Sequence, residues 1–262
     1  MEIFLQADTW VALLTLTFLE VVLGIDNIIF ISIASNKLPE HQQKKATRIG
    51  LLLAMVFRIL LLLGVSYLIG MKDPIWNIEL SWISAGITGQ SLILIAGGIF
   101  LLYKSTSEIH HKVEGREEAA SSDTPKKSST MLNVITQIVL IDIVFSFDSV
   151  LTAVGMTNGI EGALTIMIIA VIVSILIMLA FATPISNFVN KHPTIQMLAL
   201  SFLILIGFML VTEGAHLSHT VIFGQSVGAI PKGYLYFAIA FSLGVEMLNM
   251  KIRGSGNSGK KS

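Results

Sequence analysis

The chain has 262 residues, of which 53% are hydrophobic and 13% are charged, with a formal net charge of zero and a mean hydropathy of +0.79. Soluble globular domains carry about 25% charged residues, so this composition excludes an ordinary soluble domain and indicates a protein whose partner is the lipid bilayer. The absence of cysteine from the sequence excludes disulfides, iron–sulfur clusters and thiolate metal sites.

Seven apolar segments approach or exceed the roughly 20 residues that a helix needs to cross the bilayer. In chain order they cover residues 10–34, 49–70, 91–104, 132–156, 163–183, 194–213 and 234–249. Residues 1–8 contain no Lys or Arg, so the first segment is predicted to be a membrane span and not a cleaved signal peptide. The predicted fold class is an all-α polytopic membrane protein with seven transmembrane helices.

The charges of the connecting loops predict how the chain is oriented. Lys and Arg cluster after the first, third, fifth and seventh spans, whereas the other three connections carry only Lys72 and Lys232. Cytoplasmic loops of membrane proteins are enriched in Lys and Arg. We therefore expect the N-terminus outside and the C-terminus in the cytoplasm.

Two polar motifs interrupt the apolar spans. Residues 20–27 read Glu-Val-Val-Leu-Gly-Ile-Asp-Asn, and residues 142–149 read Asp-Ile-Val-Phe-Ser-Phe-Asp-Ser. Each has an acid, five intervening residues, a second acid and a polar residue directly after it, so the first and fourth spans correspond. Because a repeat unit of three spans crosses the membrane an odd number of times, the second copy would be inverted, as in many secondary transporters.

The predicted organisation is a 3+3 inverted repeat with one extra helix. Residues 1–104 form the first three-helix repeat, 105–130 a cytoplasmic linker, 131–216 the second and inverted repeat, 217–251 a connecting loop with the seventh helix, and 252–262 a disordered cytoplasmic tail. The stretch before residue 130 is rich in Glu, Ser and Lys, which is typical of a disordered linker.

The acids of the two motifs predict a cation site. A charged Asp near the membrane centre costs about 3 kcal/mol, so something must offset these charges. The options are protonation, a bound cation, or pairing with Arg58, the only basic residue deep in a span. Carboxylate, amide and hydroxyl oxygens suit Mg²⁺, Ca²⁺ or Mn²⁺, whereas Zn²⁺ and Cu²⁺ sites favour His and Cys. The predicted metal ligands are Glu20, Asp26, Asn27, Asp142, Asp148 and Ser149.

Helix geometry separates the two acids of each motif. Glu20, Gly24 and Asn27 share one face of a regular helix, and Asp26 lies about 120° away from them. A local break near Gly24 would bring both acids to one place, and broken helices near the midplane are common in transporters. We therefore expect a break in the first span at Gly24.

Three further residues are secondary candidates. Glu213 and Glu246 lie close to the predicted membrane edges, where an acid costs little. Arg58 is either a counter-ion or gate of the acids or a structural ion pair, and the sequence does not separate these readings. No nucleophile–base combination or phosphate-binding loop is visible, so neither an enzyme nor a covalently bound cofactor is expected. No nucleic-acid partner is expected either.

The two acid motifs, with residues 199–214 and 230–249, resemble the TerC family of integral membrane proteins, and the match extends over about residues 2–251. The resemblance is closest to a bacterial inner-membrane branch of that family. It implies a fold similar to that of the LysE transporter superfamily and divalent metal efflux, with manganese best supported. The family's acidic positions correspond to Glu20, Asp26, Asp142 and Asp148.

The leading functional hypothesis is a multi-pass transporter of the bacterial inner membrane that exports Mn²⁺ through these acids. A second hypothesis is a Ca²⁺/H⁺ antiporter or a proton path that uses the same residues. A third is a membrane partner that transports nothing and delivers metal to exported proteins.

Overall fold

The computed structural model describes residues 6–118, 130–157 and 159–256. Within them the helices are α1 (Ala7–Ser35), α2 (Glu40–Leu63), α3 (Val65–Gly70), α4 (Gly89–Glu118), α5 (Met131–Met156), α6 (Ala163–Lys191), α7 (Pro193–Leu217) and α8 (Lys232–Gly256). All except the short α3 are long and apolar enough to cross a membrane. The predicted class, an all-α polytopic protein with seven spans, is confirmed.

Helices α4 and α8 continue into segments that were predicted to be a linker and a disordered tail. Helix α4 continues to Glu118, so the first part of the predicted linker is helical, and its residues 119–129 lie outside the described structure. Helix α8 continues to Gly256, into the predicted tail, of which residues 257–262 lie outside the described structure. Apolar length alone therefore underestimated both helices.

Ion pairs stabilise the extension of α4. Glu108 is buried and lies 3.1 Å from Lys104, one turn earlier on the same helix, and it also pairs with Lys37 in the turn after α1. His110 and Glu114 form another i, i+4 pair at 2.9 Å. Such pairs stabilise a helix beyond its apolar segment.

A four-stranded antiparallel sheet, which the sequence analysis did not predict, joins two of the connections. Its strands are β1 (Pro74–Glu79), β2 (Ile83–Thr88), β3 (Val221–Ile222) and β4 (Gln225–Ser226), in that spatial order. The first two lie between α3 and α4, and the last two between α7 and α8. The amide of Gly86 also donates to the carbonyl of Ser218 at 2.8 Å, so the sheet ties the start of α4 to the end of α7.

The contacts between the helices are nearly unchanged when the first three predicted spans (α1, α2 and α4) are exchanged for the next three (α5, α6 and α7). Helix α4 packs most extensively against α7, α1 against α6, and α2 against α5. Exchanging α1, α2 and α4 for α5, α6 and α7 converts the α1–α6 pair into the α5–α2 pair and leaves α4–α7 unchanged. We call these six helices the six-helix unit. Helix α8 packs mainly against α7 and is the least buried span. The inversion and the membrane orientation stay predictions.

Helix α1 is continuous from Ala7 to Ser35, so the predicted break at Gly24 is wrong. Gly24 instead lies against α6, where a Cβ atom would come within 2.1 Å of the Met178 sulfur. The small residue therefore permits close packing of α1 and α6, a common use of glycine between membrane helices.

Helices α4 and α7 approach each other closely at a pair of facing glycines. A Cβ atom on Gly98 would lie 2.6 Å from the carbonyl oxygen of Gly207, and one on Gly207 would lie 2.9 Å from the carbonyl oxygen of Gly98. In both cases the obstacle is backbone, which cannot rotate away as a side chain can. The crossing therefore requires glycine in both helices.

We expect Gly98→Ala to lower the free energy of unfolding by about 1–3 kcal/mol, because the added methyl group forces α4 and α7 apart. The measurement is the unfolding midpoint of the purified protein in detergent. The matched control is Gly244→Ala in α8, where a Cβ atom meets nothing within 4 Å. Equal midpoints for the wild type and Gly98→Ala would contradict the close crossing.

Candidate functional site

Arg58 on α2 joins the first acids of the two motifs. It is 2% exposed, its Nε donates to Ser146 Oγ at 2.9 Å, and its Nη2 donates to Asp142 Oδ1 at 3.1 Å. Its Nη1 donates to the carboxylate of Glu20. The guanidinium is planar with donors in a fixed fork, so one side chain can reach acceptors on both α1 and α5. We call these four residues the Arg58 cluster.

Further hydrogen bonds hold Asp142 within the cluster. Ser146 Oγ donates to Asp142 Oδ2 at 3.0 Å, and Asn27 Nδ2 on α1 donates to Asp142 Oδ1 at 3.4 Å. Both carboxylate oxygens thus receive donors from the protein. Hydrogen bonds of this kind replace those that a carboxylate makes with water, which the membrane interior does not supply.

Asp148 lies about 9 Å further along α5, at a rise of about 1.5 Å per residue, and it has a different partner. Lys232, the first residue of α8, places its Nζ 2.7 Å from Asp148 Oδ2 and 2.6 Å from Thr152 Oγ1. The side chains of Lys232 and Asp148 are 26% and 19% exposed. This ion pair is therefore less buried than the Arg58 cluster.

A cavity of about 30 Å³ touches both groups. Its polar lining comes from Asn27, Arg58, Asp148, Ser149, Lys232 and Tyr236, and its apolar lining from Phe145, Ile206, Met209 and Leu235. A space of this size holds one water molecule or one small ion. Helix α5 is continuous, so Asp148 reaches this cavity beside Arg58 without a break in the helix.

Asn27, one of the residues that line this cavity, has a carboxamide oxygen without a hydrogen-bond partner in the described structure. Asn27 is 5% exposed, and its Oδ1 is buried with no hydrogen-bond partner in the described structure. A buried polar atom without a partner costs about 1–3 kcal/mol, so native proteins usually satisfy it with a donor or a ligand. Because Nδ2 of the same amide donates to Asp142, Oδ1 is left for another group.

The structure brings some of the predicted ligands together and leaves one undescribed. Glu20 and Asp142 meet at Arg58, while Asn27, Asp148 and Ser149 line the cavity. The side chain of Asp26 lies outside the described part of the chain, although its backbone lies within α1. Among residues 6–118, 130–157 and 159–256, no three His or acidic side chains form a group that could hold a metal. The four-acid site stays a prediction.

Of the three secondary candidates, Arg58 lies in the site and the other two lie elsewhere in the fold. Glu213 on α7 and Glu246 on α8 are both half-buried, and neither lines the cavity. Glu246 Oε1 is buried without a hydrogen-bond partner in the described structure. Any role of these two acids in metal binding stays a prediction.

Lys232 is the residue that the sequence analysis missed at this site. Its sequence position identified it only as one of the two lysines in the three connections that are not predicted to be cytoplasmic. The available signal was its position directly before the seventh apolar segment, which allows its side chain to reach the end of a neighbouring span.

We expect Arg58→Met to lower the free energy of unfolding by about 3–5 kcal/mol, because it leaves Glu20 and Asp142 buried without a cation. The measurement is unfolding of the purified protein in detergent. Adding Glu20→Gln and Asp142→Asn should recover much of the loss, because neutral amides need no counter-ion. A single variant as stable as the wild type would contradict the role of Arg58 in neutralising the two acids.

Comparison with known proteins agrees with the motifs. The model of the family described as "Integral membrane protein TerC family" matches residues 5–260. In Escherichia coli K12, the UPF0053 inner membrane protein YgdQ is 44% identical over 243 residues, which cover 93% of each chain. The UPF0053 inner membrane protein YoaE is 42% identical over 97% of this chain and 45% of its own length.

The UPF0053 protein YegH of the same organism is 44% identical over 95% of this chain, which spans only 43% of YegH. The chain thus covers less than half of YegH and YoaE but nearly all of YgdQ. No solved structure matches the chain. The family match and these relatives confirm the predicted branch, so the chain belongs to the TerC family and is a multi-pass protein of the inner membrane.

Proposed function

We propose that this protein is a transporter that exports a divalent metal cation, with Mn²⁺ as the first candidate, through the cavity beside the Arg58 cluster. The observation that carries the proposal is that Asn27, whose buried Oδ1 has no hydrogen-bond partner in the described structure, lines the same cavity as Asp148 and Ser149. These groups come from the two acid motifs, on α1 and α5. A cation bound there would contact both motifs.

The donor chemistry supports a hard divalent cation. The cavity offers a carboxamide oxygen, a hydroxyl oxygen and a carboxylate, and oxygen donors of these kinds bind Mg²⁺, Ca²⁺ and Mn²⁺. No His residue lines the cavity in the described structure. The choice of manganese within this group rests on the TerC resemblance.

The electrostatics also favour a cation. Among the side chains that the structure describes at the site, Glu20, Asp142 and Asp148 contribute three formal negative charges. Arg58 and Lys232 contribute two positive charges, which leaves a net charge of −1 for these groups. Glu20, Arg58 and Asp142 are buried, and electrostatic interactions between buried groups are stronger than in water. The site therefore attracts a cation and repels anions.

The helix packing supports a transport mechanism. The cavity lies next to the contact between α1 and α5, the helices that carry the two motifs, and the pairing of the six-helix unit is that expected for two related halves. In many transporters the substrate site lies between such halves, which rock against each other to expose it alternately to each side. The direction of transport, export, rests on the TerC resemblance.

We expect Asp148→Asn to reduce Mn²⁺ flux by about tenfold or more, because the variant loses the anionic donor of the cavity. The measurement is Mn²⁺ entry into proteoliposomes that contain a trapped metal-sensitive dye. The matched control is Asp73→Asn, which removes an exposed acid before β1 and should leave flux unchanged.

Other results of the same assay would contradict parts of the proposal. Equal flux in the wild type and Asp148→Asn would remove the cavity from the pathway. Faster Ca²⁺ than Mn²⁺ movement would reject manganese, and dissipation of a pH gradient without metal would indicate a proton path. A wild-type protein that moves no cation would reject transport altogether.

A further inference from the structure

Lys232 occupies a position that a metal ion at Asp148 would need. Its Nζ lies 2.7 Å from Asp148 Oδ2, a direct contact with the carboxylate, and it also lines the cavity. A divalent cation that contacted the same carboxylate oxygen would lie close to the ammonium group, and the two positive charges would repel each other strongly. Both cannot contact this carboxylate oxygen at once without a large cost.

The two cations of the site differ in how firmly they are held. The side chain of Arg58 is 3% exposed and its fork binds three acceptors, whereas that of Lys232 is 26% exposed and contacts two, Asp148 and Thr152. A lysine ammonium is a compact charge on a flexible stem, so it can move away from one acceptor without a change in the backbone. Lys232 is therefore the exchangeable cation of the two.

The position of Lys232 in the fold favours such an exchange. It begins α8, the least buried of the seven spans, which packs mainly on α7 and lies outside the six-helix unit. The preceding residues 227–231 have no regular secondary structure. The side chain of Lys232 can therefore leave Asp148 while the helices that carry the acid motifs stay packed.

We infer that Lys232 is a tethered counter-cation of Asp148, which holds this carboxylate when no metal is bound and which a divalent cation must displace in order to bind. This inference rests on the proposed function, because it concerns the same cavity. It assigns to α8 the control of access to Asp148. The apparent metal affinity is then lower than the intrinsic affinity, by the fraction of protein in which Asp148 is released from Lys232.

The test is the equilibrium binding of Mn²⁺ to the full purified chain, measured from the free Mn²⁺ signal in electron paramagnetic resonance. Lys232→Met keeps the length of the side chain and removes the charge. We expect it to bind Mn²⁺ about tenfold more tightly than the wild type, because nothing competes for Asp148. Lys232→Arg, which keeps a tethered positive charge, should stay close to the wild type.

Two more variants show whether the effect is specific. Thr152→Val removes the acceptor at 2.6 Å and should shift the affinity in the same direction by a smaller factor. Lys72→Met removes the other lysine of the predicted outer connections, which is exposed and forms no ion pair in the described structure, and should change nothing. An equal gain in Mn²⁺ affinity in Lys72→Met and Lys232→Met would mean that the gain comes from the change in the protein's net charge alone, and it would overturn the inference.

The failure of this inference differs from the failure of the proposed function. If the wild type binds Mn²⁺ and Lys232→Met binds it no more tightly, the inference is overturned and the proposed function stands. If neither protein binds Mn²⁺, or if Asp148→Asn binds it as well as the wild type does, the metal site itself is rejected and the inference falls with it.

Discussion

A charge inside a membrane must be neutralised by the protein, and Arg58 meets this constraint for the centre of the fold. It comes from α2 and binds Glu20 on α1 and Asp142 on α5, so one buried side chain joins three helices. A buried ion pair is weak evidence of stability in itself, but removing either side leaves an uncompensated charge. The Arg58 cluster therefore requires α1, α2 and α5 to stay together, and the cavity lies beside it.

The same constraint divides the acids of α5 into two kinds. Asp142 receives donors at both oxygens from buried groups of the six-helix unit, so it belongs to the framework. Asp148 is partly exposed and is neutralised by a lysine from α8. An acid of the second kind, such as Asp148, suits a cation-binding site of a transporter, because a cationic substrate can replace its counter-ion.

Sequence patterns predicted the spans and the motif residues because both depend on local hydropathy and spacing. They could not predict the sheet, since β2 pairs with β3, a two-residue strand that lies more than 130 residues away in the chain. The prediction at Gly24 was wrong because a small residue in a membrane helix is compatible both with a break in the helix and with a close contact between helices. Only the position of Met178 shows that Gly24 makes a close contact. Lys232 was missed because its role depends on where α8 packs.

Anomalous diffraction at the manganese edge, from crystals soaked in Mn²⁺, would show whether α1 and α5 offer one cation site at Asn27 and Asp148. We expect a peak about 2.0–2.6 Å from an Asp148 carboxylate oxygen and from Asn27 Oδ1, with Lys232 moved away from Asp148. Peaks confined to surface groups such as the His110–Glu114 pair, with Lys232 still on Asp148, would contradict it.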